Sequence, residues 1–314
     1  MDALNALLKK ISLAASFLLA VVAMSAVAAD VKIVIPDGNP NLLNLAKATQ
    51  HALEQTNNPP SVFITTPNMP NTANSDTLAI VIGDELIAWS ESAKNPFRNL
   101  LYFYISSIEF NRLNVNANKT ALFRDQPLSR QLFLTHLILP NVRRALVIHR
   151  AEQFATNITR NIQRGPDGLT INYRVVDAGS DWIKSMAQWV TEADVLVCVD
   201  DQKLYNRDTI RSTLLTTYRQ GKVLIGPNRG FVNAGSLAST YTSPEHYLQQ
   251  LQKMVDDWRR QKKLPDPQFP EKFQLVVNQQ VAESLGLPIP DEQELLRVLQ
   301  RELQTVEGCG NGCP

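Results

Sequence analysis

Short apolar runs alternate with amphipathic stretches along most of this chain, and few folds satisfy that alternation. Residues 31–35, 62–65, 78–82 and 100–105 are apolar or β-branched runs that read as strands. Between them, Leu42, Leu43, Leu45, Ala46, Ala52 and Leu53 mark one helical face, stopped by Asn57-Asn58-Pro59-Pro60, and Leu86, Ile87 and Trp89 mark another. The rhythm recurs in the second half. Strands are expected at 145–148, 171–176, 194–199 and 223–225, and helices at 129–139, 152–164, 181–190 and 209–219. Fully apolar strands separated by helices imply parallel sheets covered on both faces. Two such series imply an α/β chain of two doubly wound parallel-sheet lobes.

Ligands of open α/β sheets bind beyond the C-terminal ends of the strands. The polar residues there are the candidate ligand-binding residues: Asp37 and Asn39, Gly83 and Asp84, Asp200 and Asp201, and Asn228. Asp200 and Asp201 follow a buried strand directly. They either accept hydrogen bonds from a ligand amine or hydroxyl, or cap the turn that follows. Arg124, in the connection between the two series, either clamps a ligand carboxylate bidentately or pairs with Asp125 at the surface.

The remaining helices carry packing signals. Ser243 is an expected N-cap with Pro244 at the first helical position, and Tyr247, Leu248, Leu251, Met254, Val255 and Trp258 form one stripe of core character. Leu295, Leu296, Leu299 and Leu303 share a face of a last helix over 291–306, which either lies on the surface or meets a partner.

The start of the chain indicates export. Lys9 and Lys10 precede an uncharged run over 11–29 that ends in Ala26-Val27-Ala28, which fits a signal peptide cleaved after Ala28. A retained membrane anchor needs an apolar stretch of about 20 residues, and this run is borderline for that. The whole chain carries 31 Lys and Arg against 30 Asp and Glu; losing Lys9, Lys10 and Asp2 leaves 29 of each. A neutral mature body has no electrostatic footprint for nucleic acid. Cys198 lies in an apolar strand and reads as a small buried hydrophobe, whereas Cys309 and Cys313, in a Gly-rich tail, are candidates for a disulfide in an oxidising periplasm.

Catalytic patterns are scarce. G-x-S-x-G, H-E-x-x-H, the phosphate-binding G-x-x-x-x-G-K-[ST] and G-x-G-x-x-G do not occur. His51, His136, His149 and His246 are scattered without ligand spacing. The chain therefore reads as a non-enzyme without cofactor or metal.

Val195 to Asp201, a strand ending in an acidic hinge-side residue, and three further segments resemble the ABC-transporter substrate-binding proteins of the tryptophan/tyrosine type. Residues 273–290 (Phe273 through Asn278, Ala282, Leu285-Gly286, Pro288 and Pro290) are similar to that family's closing signature. Val223 to Gly226 with Asn233 to Ser239 is similar to its strand and Ala-Gly-x-Leu-Ala-Ser segment, and Gln131 to Leu146 to its helix-Pro-strand step. The resemblance implies a type I periplasmic-binding fold with a small molecule between the lobes. It implies a first lobe of 29–137 plus 237–265, a second of 138–236 plus 268–290, and an extension over 291–314. The implied partners are a small, amino-acid-like solute and an ABC permease. The family's Gly-rich middle is replaced here by Asn114 to Asn118, which also fits a module that docks on a periplasmic sensor or receptor domain instead.

Overall fold

A computed structural model describes residues 31–69, 76–151, 165–177, 179 and 181–307. The expected signal peptide, the helix over 152–164, and Cys309 with Cys313 lie outside the described residues.

The first sheet contains β1 (Val31–Val34), β2 (Val62–Thr65), β3 (Leu78–Ile82), β4 (Asn99–Ile105) and β5 (Lys119–Phe123), ordered β2-β1-β3-β4-β5 and parallel throughout. All five residues of β3 are buried, as a central strand covered on both faces requires. Alternate side chains enter different cores. Ile80 and Ile82 face the helices Pro40–Glu54 and Pro244–Gln261, and Ala79 and Val81 pack with Tyr102, Phe110 and Phe123. Helix Pro40–Glu54 begins at a capped turn: the Asn39 side chain accepts from the Leu42 amide at 3.2 Å and Pro40 occupies the first position. β5 carries no strong sequence signal, and only its pairing with β4 reveals it.

The second sheet contains β6 (Arg144–His149), β7 (Thr170–Val175), β8 (Val195–Val197), β9 (Val223–Ile225), β10 (Ala238–Tyr241) and β11 (Gln274–Val277), ordered β11-β10-β9-β8-β6-β7. Only the β10–β11 pair is antiparallel. The chain is thus the expected α/β protein of two parallel-sheet lobes. Among the described residues no helix is long and apolar enough to cross a membrane.

The crossings between the lobes differ from the expected boundaries. Helix Leu128–Ile138 belongs to the second lobe, because Leu132, Leu134 and Ile138 are buried in its core and Gln131 hydrogen-bonds Ser239 and the Thr240 amide, both at 3.2 Å. The first crossing therefore lies at 124–127. β10 pairs with Ile225 and Val277 and so stays in the second sheet, and only helix Pro244–Gln261 returns to the first lobe. Ser243 caps that helix by accepting from the His246 amide, and Leu251, Met254, Val255 and Trp258 are buried beneath it. Full burial is worth about 1.5–3 kcal/mol for each such side chain, enough to draw the segment back across. Gln268 still bridges to Leu122 of β5, so the third crossing follows it. Residues 291–307 are not a loose extension. Leu295, Leu299 and Leu303 of helix Glu292–Glu307 are buried in the core of the second lobe. Hydrogen bonds tie the crossings together: the Gln126 side chain donates to Thr242 Oγ1 at 2.9 Å, and Thr242 Oγ1 to the Lys272 carbonyl at 2.9 Å.

Candidate functional site

The C-terminal ends of β3, β4, β6, β8 and β9 converge between the lobes, where two adjoining cavities of about 740 and 290 Å³ share Tyr104, Arg124 and Gln202 as common wall. Of the residues expected at the site, Asn39, Gly83, Asp84, Arg124 and Asp201 line the larger chamber, and Arg124, Asp200 and Asn228 the smaller. Asp37 lies apart. It accepts from Asn68 Nδ2 at 2.7 Å and borders a separate, mostly apolar pocket beside β2.

Gly83 makes the first turn possible. It has φ +101°, and a Cβ there would fall 2.7 Å from Leu42 Cδ1. The turn aims Asp84 into the cleft, where Oδ1 accepts from the Ser106 amide at 2.9 Å and Oδ2 from Arg124 Nη2 at 3.1 Å. Arg124 meets Asp84, not Asp125 as one sequence reading had it. Asp125 is buried and accepts from both the amide and the hydroxyl of Ser107. Burial dominates the Asp125 carboxyl and pushes it up to about 7 against the Ser107 hydrogen bonds.

The Arg124 guanidinium is surrounded by acids. Burial alone would weaken its hold on the proton, but Asp200, Asp84 and Asp125 outweigh burial and raise its pKa. Its Nε stands 4.0 Å from Asp200 Oδ2, too far for a hydrogen bond, and donates to no acceptor. Thr240 Oγ1, fully buried on the wall of the same small chamber, is equally unpartnered. Asp200 itself is held only by Asn228 Nδ2 at 3.5 Å and the distant Arg124, and burial moves its carboxyl up. Asp200 does not cap a helix; that role on the adjacent turn belongs to Asn228, whose Oδ1 accepts from the Phe231 amide. Asp201 is committed to structure, receiving Arg150 Nε at 2.6 Å and the Lys203 amide at 2.9 Å.

Several wall residues carried no signal in the sequence. Tyr104 sits at φ +58°, at the register shift between Phe103 and Ile105 of β4, a conformation that a bulky residue adopts rarely. Its ring meets Tyr247 edge-on at 5.7 Å and lies under the Arg124 guanidinium at 5.9 Å. Tyr247 in turn hydrogen-bonds the Arg124 carbonyl. Glu109, Arg150 and Lys203 line the larger chamber as one ionic group. Asp84, Glu85, Glu109, Asp200 and Asp201 are matched on the two chamber walls by Arg124, Arg150, Lys203, Arg207 and Arg229. The cleft is therefore strongly polar yet neutral. No His lines either chamber, and among the described residues no three His, Cys, Asp or Glu converge as a metal site.

No protein-family model and no curated relative matches the sequence. Solved structures do. An ABC domain from Streptococcus pneumonia in complex with L-Trp superposes with a TM-score of 0.55 at 14% identity, covering 85% of this chain and 97% of that one. The ligand-free, open form of a substrate-binding protein with adhesive properties from Clostridium difficile gives 0.56 at 12% identity, covering 83% and 96%. A conserved domain protein from Vibrio cholerae gives 0.55 at 16% identity, covering 86% and 98%. The fold is that of type I periplasmic binding proteins. At these identities the likeness establishes the fold alone, and the cleft and its chemistry rest on this chain's own residues.

Proposed function

We propose that this protein is a periplasmic solute-binding component of an ABC-type uptake system, holding a small polar solute between its lobes. The observation that carries the reading is the pair of buried, unpartnered atoms on one chamber wall, Arg124 Nε and Thr240 Oγ1. Buried polar groups in folded proteins nearly always have partners, and one left without costs about 1–3 kcal/mol, so two on residues that line one cavity point to where a ligand's polar atoms belong. Arg124 Nε calls for an acceptor such as a carboxylate, and the weakly held Asp200 for a donor such as an amine. A solute bearing both groups, amino-acid-like in that sense, fits a neutral cleft with walls of both signs. The chamber volumes fall in the range of small-molecule sites, and Tyr104 and Tyr247 supply its apolar faces. The structurally similar streptococcal domain is in complex with L-Trp, which supports an amino-acid-like solute.

The test is a thermal-shift screen of the mature protein against the L-amino acids, small peptides, polyamines and simple carboxylates. A solute at 100 times its Kd adds about 2.7 kcal/mol of stability, which a melting curve resolves. The reading requires at least one saturable upward shift. No shift across the panel contradicts it and favours a module that docks on a sensor or receptor domain without solute.

A further inference from the structure

We infer that Glu109 positions the two lobes, acting as a latch that holds the larger chamber closed in the absence of solute. Glu109 stands on the short helix Ser107–Phe110 of the first lobe. Its Oε1 accepts from Arg150 Nη2 at 3.1 Å and from Lys203 Nζ at 3.0 Å, both carried by the second lobe. One carboxylate thus takes two cations from across the cleft. Burial works against its charge, but Lys203 and Arg150 outweigh burial and hold its carboxyl below the usual carboxylate range.

Both halves of the latch are fixed before they meet. On the first lobe, Ser106 Oγ caps the helix through the Glu109 amide, and Asp125 grips Ser107 by two hydrogen bonds. Asp125 lies in the first crossing, so the base of the latch and the hinge move as one piece. On the second lobe, Arg150 is locked to Asp201 through Nε at 2.6 Å and Nη2 at 3.2 Å, with only 7% of its side chain exposed. Groups held in advance lose little freedom on meeting, and a largely buried pair is screened little by salt. Three crossings tied by Gln126, Thr242 and Lys272 form the sort of connection about which two lobes hinge.

A latch and a merely local ion pair make different predictions. Glu109→Gln removes the charge but does not strand Arg150, which keeps its fork on Asp201, so the second lobe has no reason to unfold. The experiment is small-angle scattering of the full mature chain, dialysed free of solute, for the wild type, Glu109→Gln and Lys203→Met. Lys203 is half exposed, so its replacement leaves folding intact and decides the question should Glu109→Gln lose its circular dichroism spectrum. The expected result is a compact wild type, a larger radius of gyration and longest dimension for Glu109→Gln, and an intermediate increase for Lys203→Met. Identical scattering from the folded variants and the wild type overturns the inference. The measurement uses no solute, so its outcome is separate from that of the thermal-shift screen.

Discussion

Arg124 Nη2 lies 3.1 Å from Asp84 Oδ2, while Nε of the same guanidinium, 4.0 Å from Asp200, makes no hydrogen bond. Asp84 rises from the first lobe, Asp200 from the second, and Arg124 from the crossing between them. One cation therefore neutralises carboxylates of both lobes and keeps part of its donor fork unused. Arg124→Ala leaves Asp84, Asp200 and buried Asp125 without their shared counter-charge. Removing one partner from a buried ionic group costs about 3–5 kcal/mol, and the low side of that span is expected here because Asp84 is partly open to water. Urea unfolding of the variant beside the wild type measures the loss; a change within about 0.5 kcal/mol would show that the acids are satisfied without Arg124.

Asp125 makes stability depend on pH. Its carboxyl is pushed up to about 7 by burial, above the value near 4 of an unfolded chain. Between those two values the folded state binds more protons than the unfolded state, so stability falls as pH rises, by up to about 1.4 kcal/mol per pH unit. Asp200, also moved up by burial, adds to the same slope. Asp125→Asn keeps an acceptor for Ser107 and no longer titrates, so its unfolding free energy should run flatter than that of the wild type between about pH 4 and 7. Parallel curves for the two proteins would assign the slope to other groups.

The backbone of Tyr104 inverts an ordinary preference. In a strand, Gly is normally less stable than Ala by about 0.5–1 kcal/mol. At φ +58° the Cβ of any L-residue is strained, at a cost of about 1–2 kcal/mol that Gly escapes. Tyr104→Gly should therefore unfold at a higher urea midpoint than Tyr104→Ala, although both lose the ring contacts with Tyr247. The usual order, Ala above Gly, would show an unstrained position.

Helix Glu292–Glu307 is part of the second core. Leu299 is fully buried there, and Leu299→Ala should cost about 2–5 kcal/mol, measured by urea unfolding. A loss below about 1 kcal/mol would mean that the helix is peripheral.

The sheets were legible because a strand buried on both faces has a local signature. Residues 78–82 are apolar without a break, and the strand-end rule then placed Gly83 and Asp84 at the cleft with no knowledge of the other lobe. The same rule misplaced Asp37, which follows β1 but turns to Asn68 instead of the crevice. β5 stayed hidden because Lys119–Phe123 offers only the short apolar run Ala121-Leu122-Phe123 and becomes a strand only against β4. Long-range partnership hid the rest. Glu109 becomes interpretable only when Arg150 and Lys203 meet it, and Tyr104 only when Arg124 and Tyr247 close around it. The crossing after β10 escaped for the same reason: a strand joined to one lobe and a helix joined to the other look continuous in sequence.

Calorimetric titration of the wild type and Arg124→Lys, side by side, with the panel of L-amino acids, peptides, polyamines and carboxylates tests the solute-binding cleft most directly. Lysine keeps the charge among the acids but loses the forked guanidinium and its free Nε. At least one solute should bind the wild type with a one-to-one isotherm, and the variant should bind it about tenfold or more weakly, a difference of about 1.4 kcal/mol. Equal affinity in the two proteins, or no heat from any solute with the wild type, would contradict the account.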